Sequence, residues 1–217
     1  MKNQTKIAME LLDKFKWRYA TKRFDKSRKL GPEQLNNLLQ AADLAPSSYG
    51  LQPFSLIVVE NAEVKAKLSP AAFNQPQVTE ASHVLIWAAR TDLSEIHVEE
   101  FVDRISRTRG IDKEELADDE ATMKRSVKKR TPEQRFTWAA RQAYISLGFL
   151  LSAAAFYEID ACPQEGFKNS EFDEILGLTQ RGLSSVVMAT VGYRSAEDPT
   201  QHHKKVRKSL DQLVIKY

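Results

Sequence analysis

The chain has 217 residues, 42% of them hydrophobic and 28% charged, with a formal net charge of +3. That length suits one domain with a sizeable core, and no internal repeat or low-complexity run argues for a solenoid or a disordered chain. A charge so close to balance excludes nucleic-acid binding unless the cations gather on one surface. Cys162 is the only cysteine, so an internal disulfide is excluded and a reducing compartment fits. Met1 to Asp13 lacks a signal-peptide apolar core, and the apolar region Phe136 to Ile159 is broken by Arg141, Gln142 and Glu158. The expectation is a cytoplasmic protein with no membrane partner.

In chain order, Ile7, Leu11, Leu12 and Phe15 fall at helical spacing and predict a first helix. It delivers Arg18-Tyr19-Ala20-Thr21-Lys22-Arg23-Phe24-Asp25, with three cations in six residues. Arg18 and Lys22 share a face whether the stretch is helical or extended. Two cations aimed one way suit a phosphate or an electron-rich ring; a solvated basic turn is the other reading. Pro32 opens a second helix with Leu35, Leu38, Leu39 and Ala42 inside. Ala45 to Pro53 is then a structured loop. Its Ser47 and Ser48 offer hydroxyls and N–H groups to an anion, or simply turn the chain.

Ser55 to Glu60 and His83 to Ala89 read as strands buried on both faces, with a short helix Ala62 to Leu68 between them. His83 reads as structural. Residues 92–130 are highly charged, and their sparse apolar residues predict helical segments covering one side of the fold. The basic run Lys124 to Arg130 has no aromatic or glycine signature, so it reads as a solvated helix face rather than a nucleic-acid site. Thr131-Pro132-Glu133-Gln134 is a capping box opening a long helix that is apolar nearly all round. Burying such a helix in a chain this small suggests a second copy. Ile159 to Cys162 reads as a short strand stopped by Pro163, Phe172 to Leu178 as a helix, and Ser184 to Tyr193 as a strand. Cys162 has no neighbouring cation in sequence and is a poor candidate nucleophile. Lys204 to Lys208 is a second cationic cluster, and Leu210 to Tyr217 ends in a strand-like run.

Taken together the pieces resemble the nitroreductase family of FMN-dependent NAD(P)H oxidoreductases, in its oxygen-insensitive enterobacterial form. Five motifs carry the resemblance across nearly the whole chain: residues 18–25; Pro46-Ser47-Ser48 with Gln52-Pro53; Phe73-Asn74 with Ala81-Ser82-His83; Pro163-Gln164-Glu165-Gly166-Phe167; and Lys205 with Arg207. The resemblance implies an α+β fold, a small mostly antiparallel sheet flanked by helices, in an intertwined homodimer with C-terminal strand exchange. It implies one FMN-binding domain over residues 1–217, with a helical excursion at about 92–130. Arg18, Lys205 and Arg207 match positions that hold the FMN phosphate, Tyr19 lies in the same motif, and Ala20 matches a contact position. Lys22 matches the lysine at the flavin pyrimidine edge and Asn74 a ring contact. Glu165 and Gly166, in the motif with Pro163 and Gln164, match residues whose backbone N–H groups face N5 and O4. Pro46, Ser47, Ser48 and the neighbouring Gly50 match the loop supplied by the second subunit. Lys22 and the Glu165 backbone are thus the catalytic candidates, and no metal is expected.

The implied activity is ping-pong hydride transfer from NADH or NADPH to nitroaromatics, quinones or similar small electron-poor acceptors. Related possibilities are a flavin-binding carrier or sensor without turnover, a reductive dehalogenase or an enoate reductase. The chain departs from many relatives at Gly50, at Phe54 and at Gln77, where a second lysine would fall.

Overall fold

The computed structural model describes residues 2–217, with side chains from residue 10 onward. Helices α1 (Lys2–Trp17) and α2 (Pro32–Asp43) precede strand β1 (Phe54–Val59). Helices α3 (Ala62–Ala71) and α4 (Pro76–Glu80) lead to β2 (His83–Arg90). Then come α5 (Glu95–Arg109), α6 (Ala117–Lys128), α7 (Pro132–Phe156), β3 (Asp160–Gln164), α8 (Asn169–Leu176), β4 (Leu183–Gly192) and α9 (Leu210–Leu213). The four strands form one antiparallel sheet in the order β1-β2-β4-β3. The expected α+β architecture is present and the three main strands lie close to where the β-branched runs put them, but β1, expected to be buried on both faces, is a sheet-edge strand in which only Val59 is buried. The Ile7 side chain, expected on the inner face of α1, lies outside the described residues.

Strand alternation builds two cores from one central strand. Leu85 and Trp87 of β2 face α2 and α7, among Leu38, Leu147 and Leu150. Val84 and Ile86 face α3 and α8, among Leu68 and Phe172. The Trp87 indole donates to Ser146 Oγ at 3.0 Å, and that hydroxyl donates to Ala42 O at 2.9 Å. One buried chain of hydrogen bonds therefore pins β2, α7 and α2 together, with every polar atom partnered.

Residues 92–130 build a third cluster rather than a loose cover. Val98, Val102, Met123 and Val127 pack with Leu51 and Trp138. The basic run there is engaged within the chain: Lys124 pairs with Glu99 and Glu120, and Lys128 with Glu95. Arg130 lies 4.3 Å over the Trp138 ring.

Several expectations need correction. Pro163 does not stop β3 but lies inside it, opposite Ala189. Among the four strands β3 pairs only with β4, its other side meeting a single bridge at Ala20–Ala161, and such an edge tolerates a residue without an N–H. The run 210–217 is not simply strand material. Ser209 and Gln212 form a capping box that makes residues 210–213 helical, and the tail beyond has no strand partner among the described residues. Helix α4 was not anticipated, and α3 runs three residues further than expected. Helix α7 buries only one side here; Tyr144, Ile145, Phe149 and Phe156 are 40–51% exposed.

Candidate functional site

The stretch after α1 is held open by carboxylates rather than by regular structure. Asp198 Oδ2 accepts from the Tyr19 hydroxyl (3.0 Å) and from the N–H groups of Lys22 (2.7 Å) and Arg23 (3.1 Å). Its Oδ1 accepts from Thr200 N and Oγ1. Burial works to raise the Asp198 pKa, but the hydrogen bonds outweigh it and bring the group down to about 2. Glu80 receives Arg23 and the Phe24 N–H, and Asp160 receives Arg194 at 2.7 Å. Arg194 in turn lies 4.3 Å over Trp17 and 4.6 Å over Tyr19. Short bridges at Ala20–Ala161 and Phe24–Arg194 fix the stretch beside β3 and the end of β4.

This frame brings both ends of the chain to one crevice of about 360 Å³. Arg18, Tyr19, Ala20 and Lys22 form one wall, and Lys205 and Arg207 the other. The Lys205 ammonium donates to Lys16 O at 2.6 Å, a cation on the C-terminal carbonyls of α1. Burial and then Arg207 hold Arg18 below the ordinary arginine range, and burial and then Arg18 do the same to Lys205. Among the described residues no carboxylate forms an ion pair with Arg18, Lys205 or Arg207. The crevice is a concentration of like charge, the arrangement an oxyanion relieves.

From Lys22 a polar line continues along β3. Lys22 Nζ lies 3.7 Å from Cys162 Sγ, and Gln77 Nε2 lies 3.9 Å from the same sulfur. Folding thus brings Cys162 the cation that its local sequence lacks, but burial pushes its thiol up, against the pull of Lys22. Gln164, on the same face as Cys162, donates to Gln75 Oε1 at 3.1 Å and leaves its own buried Oε1 without a partner. Gln75 donates to Gly166 O at 2.7 Å. This ties the loop of Asn74, with its φ of 55°, to Pro163–Gly166. The Glu165 carboxylate accepts from the Tyr144 hydroxyl at 2.5 Å; burial, then that contact, raises the tyrosine to about 12. Among the loop and cap hydrogen bonds of the described residues, the N–H groups of Glu165 and Gly166 meet no backbone acceptor.

Pro46, Ser47, Ser48 and Gly50 do not line the crevice. They sit beyond α2 and are tied to α7 instead, where Ser48 N donates to Gln142 Oε1 at 2.9 Å. Gly50 has φ +80°, and a Cβ there would lie 2.9 Å from the Phe101 ring. The sequence reading therefore gathers in two places on one chain. It missed Asp198, Glu80, Asp160, Arg194 and Gln75, the residues that hold the others. The Asp-Pro-Thr turn at 198–200 was the one local signal.

With this geometry in view, the comparisons are clear. The Nitroreductase family model matches residues 15–193. The chain belongs to the nitroreductase family. It is 31% identical over 209 residues to the oxygen-insensitive NAD(P)H nitroreductase of Enterobacter cloacae, covering 91% of this chain and 94% of that one. A structure from Exiguobacterium sibiricum solved in complex with FMN superposes with a TM-score of 0.82 at 20% identity, covering 96% of each chain. A gut-bacterial enone reductase of fatty acid saturation superposes with a TM-score of 0.81 at 25% identity, covering 94% of this chain and 96% of that one. Among the described residues no helix is long and apolar enough to cross a membrane.

Proposed function

We propose that this chain is an FMN-dependent NAD(P)H oxidoreductase that works as a homodimer and reduces nitroaromatics, quinones or similar electron-poor acceptors. Family membership and the Enterobacter relative support the enzyme class and the nicotinamide reductant, and the Exiguobacterium structure in complex with FMN supports the flavin. The observation that carries the reading is the convergence of Arg18, Lys22, Lys205 and Arg207 on one crevice with no carboxylate paired to them among the described residues. The residues fit a phosphate-bearing flavin: the crevice has surplus charge, and the buried Gln164 Oε1 and the Glu165 and Gly166 N–H groups offer polar contacts beyond it.

Bound FMN supplies the hydride chemistry, accepting from NAD(P)H and passing reducing equivalents to the acceptor. Arg18, Lys205 and Arg207 would hold its phosphate. Lys22 would put a cation at the pyrimidine edge, where negative charge would collect on reduction; at ~4 Å a unit pair is worth roughly 4 kcal/mol at an effective dielectric of 20, before desolvation. The Glu165 and Gly166 N–H groups would orient the ring, and Asn74 would contact it. Pro46, Ser47, Ser48 and Gly50 serve the site of the partner subunit, which accounts for their distance from the crevice of their own chain. The bare α7 face, the unpaired outer edge of β1 and the exposed tail support strand exchange between two copies. Reductant and acceptor would use one face of the flavin in turn, a ping-pong cycle.

Anaerobic stopped-flow tests this. NADH or NADPH should bleach the yellow protein, and an acceptor panel should restore the colour. Protein that stays colourless after incubation with FMN refutes the reading. Yellow protein bleached by neither nicotinamide favours a carrier or sensor. The likeness to an enone reductase supports a second acceptor class, conjugated carbon–carbon double bonds, which belongs on the panel.

A further inference from the structure

A second cleft lies between α2, α3 and the start of β2, with a volume of about 400 Å³. None of its lining residues lines the Arg18 crevice. Lys65 forms its floor and is only 3% exposed. Its ammonium donates to Ala81 O at 2.8 Å and to Ser82 O at 3.4 Å. An ammonium has three donors, so one remains for the cleft. Lys29, from the rim, reaches the same Ala81 O at 3.5 Å. Two ammonium groups therefore share one carbonyl, and among the described residues neither forms an ion pair with a carboxylate. Burial, then Lys29, lowers the Lys65 pKa.

The one acid in the wall is engaged elsewhere. Glu60 Oε2 lies 3.4 Å from His83 Nε2 and its side chain is 77% exposed. Ser82 Oγ accepts the Leu30 N–H at 2.8 Å, which leaves its proton for His83 Nδ1 at 3.0 Å. Burial holds the His83 pKa below its ordinary value against the pull of Glu60, which favours the neutral imidazole. The cationic charge of the cleft is then that of the two lysines. The rest of the wall is apolar, from Leu30, Pro32, Leu35 and Ala62.

We propose that this cleft is a second ligand site, taking a small carboxylate with an apolar body. The carboxylate would sit between Lys29 and Lys65, and the body against Leu30, Pro32 and Leu35. A buried ammonium lacking a counter-charge is costly, and a bound carboxylate supplies both charge and the missing acceptor. Inorganic phosphate fits less well, because its second charge would meet Glu60 and an apolar wall. The site is independent of the flavin reading.

The test is a titration of the FMN-loaded protein with benzoate, acetate and inorganic phosphate, read by amide nuclear magnetic resonance shifts of residues 29–35 and 81–83. Benzoate should saturate those shifts in the millimolar range, about tenfold tighter than acetate, or ~1.4 kcal/mol. It should also raise the Lys65 pKa. Lys29→Gln, at an exposed residue, should weaken benzoate about tenfold without lowering the melting temperature. Lys65→Met should abolish saturation, and if it does not fold, Lys29→Gln still decides. Silent amides with all three anions, or unchanged affinity in Lys29→Gln, would mean that the lysines only cap carbonyls and would overturn the proposal. Phosphate binding more tightly than benzoate would overturn the ligand class.

Discussion

The crevice and the frame behind it are built from the same residue types to opposite ends. In the frame, Asp198, Asp160 and Glu80 are each at most 4% exposed, and each accepts from donors in a distant part of the chain. In the crevice, Arg18, Lys205 and Arg207 face one another, and among the described residues no carboxylate pairs with them. The frame spends its charge on backbone N–H groups and so fixes the path of residues 18–25. The crevice leaves charge unpaired and so keeps affinity for something else. Stability and recognition are thus carried by different residues that touch along a single short segment.

The sharpest way to break this division is Asp198→Ala. It strands the Tyr19 hydroxyl and the Lys22, Arg23 and Thr200 donors, so a loss of about 3–4 kcal/mol in chemical denaturation is expected, with flavin binding lost as well. Arg18→Ala with Arg207→Ala should do the reverse. FMN affinity in fluorescence titration should fall about 100-fold, or ~2.8 kcal/mol, while the apoprotein keeps or gains stability through relief of repulsion. Equal destabilisation of the apoprotein by both changes would erase the distinction.

Acid offers a third probe. The folded pKa of Asp198, about 2, lies below its ordinary value of 3.8. A depressed carboxylate stabilises the fold above its unfolded pKa and loses that contribution as pH falls through the folded one. Stability should therefore drop by about 2 kcal/mol between pH 5 and pH 2, and Asp198→Asn should flatten that part of the curve. Lys22→Ala should leave stability unchanged and make the bound flavin about 30 mV more negative for the two-electron couple, equivalent to ~1.4 kcal/mol. An unchanged potential would remove Lys22 from the pyrimidine edge. The smallest effect is expected from Tyr144→Phe, which frees the Glu165 carboxylate: a change below about threefold in FMN affinity, or ~0.6 kcal/mol.

Legibility in the sequence followed the range of the interaction. β2 and β4 were readable because a β-branched apolar run reports its own burial, and the start of α7 because its capping box spans four residues; β1 was readable as a strand, but its place at the half-exposed sheet edge was not. The cationic residues were readable as motifs. What held them was not, since Asp198 meets Lys22 across 176 positions and Glu80 meets Phe24 across 56. A lone acid carries no local mark of such a partner. Pro163 misled because only the sheet order reveals that β3 is an edge. The tail misled because its apolar run outweighed the cap at Ser209. Cys162 looked isolated for the same reason that Asp198 looked idle: its neighbour Lys22 is 140 positions away.

The seat of Lys205 on the last turn of α1 closes a circuit of 189 positions through a single contact. A ligand gripped by Arg18 and Arg207 would act there as a reversible cross-link, removing freedom from the tail as a covalent tie would. The exposed stretch beyond Lys204 should then be trimmed quickly by protease when the protein is empty and slowly when it is loaded, so cofactor supply would set how long the chain's far end survives.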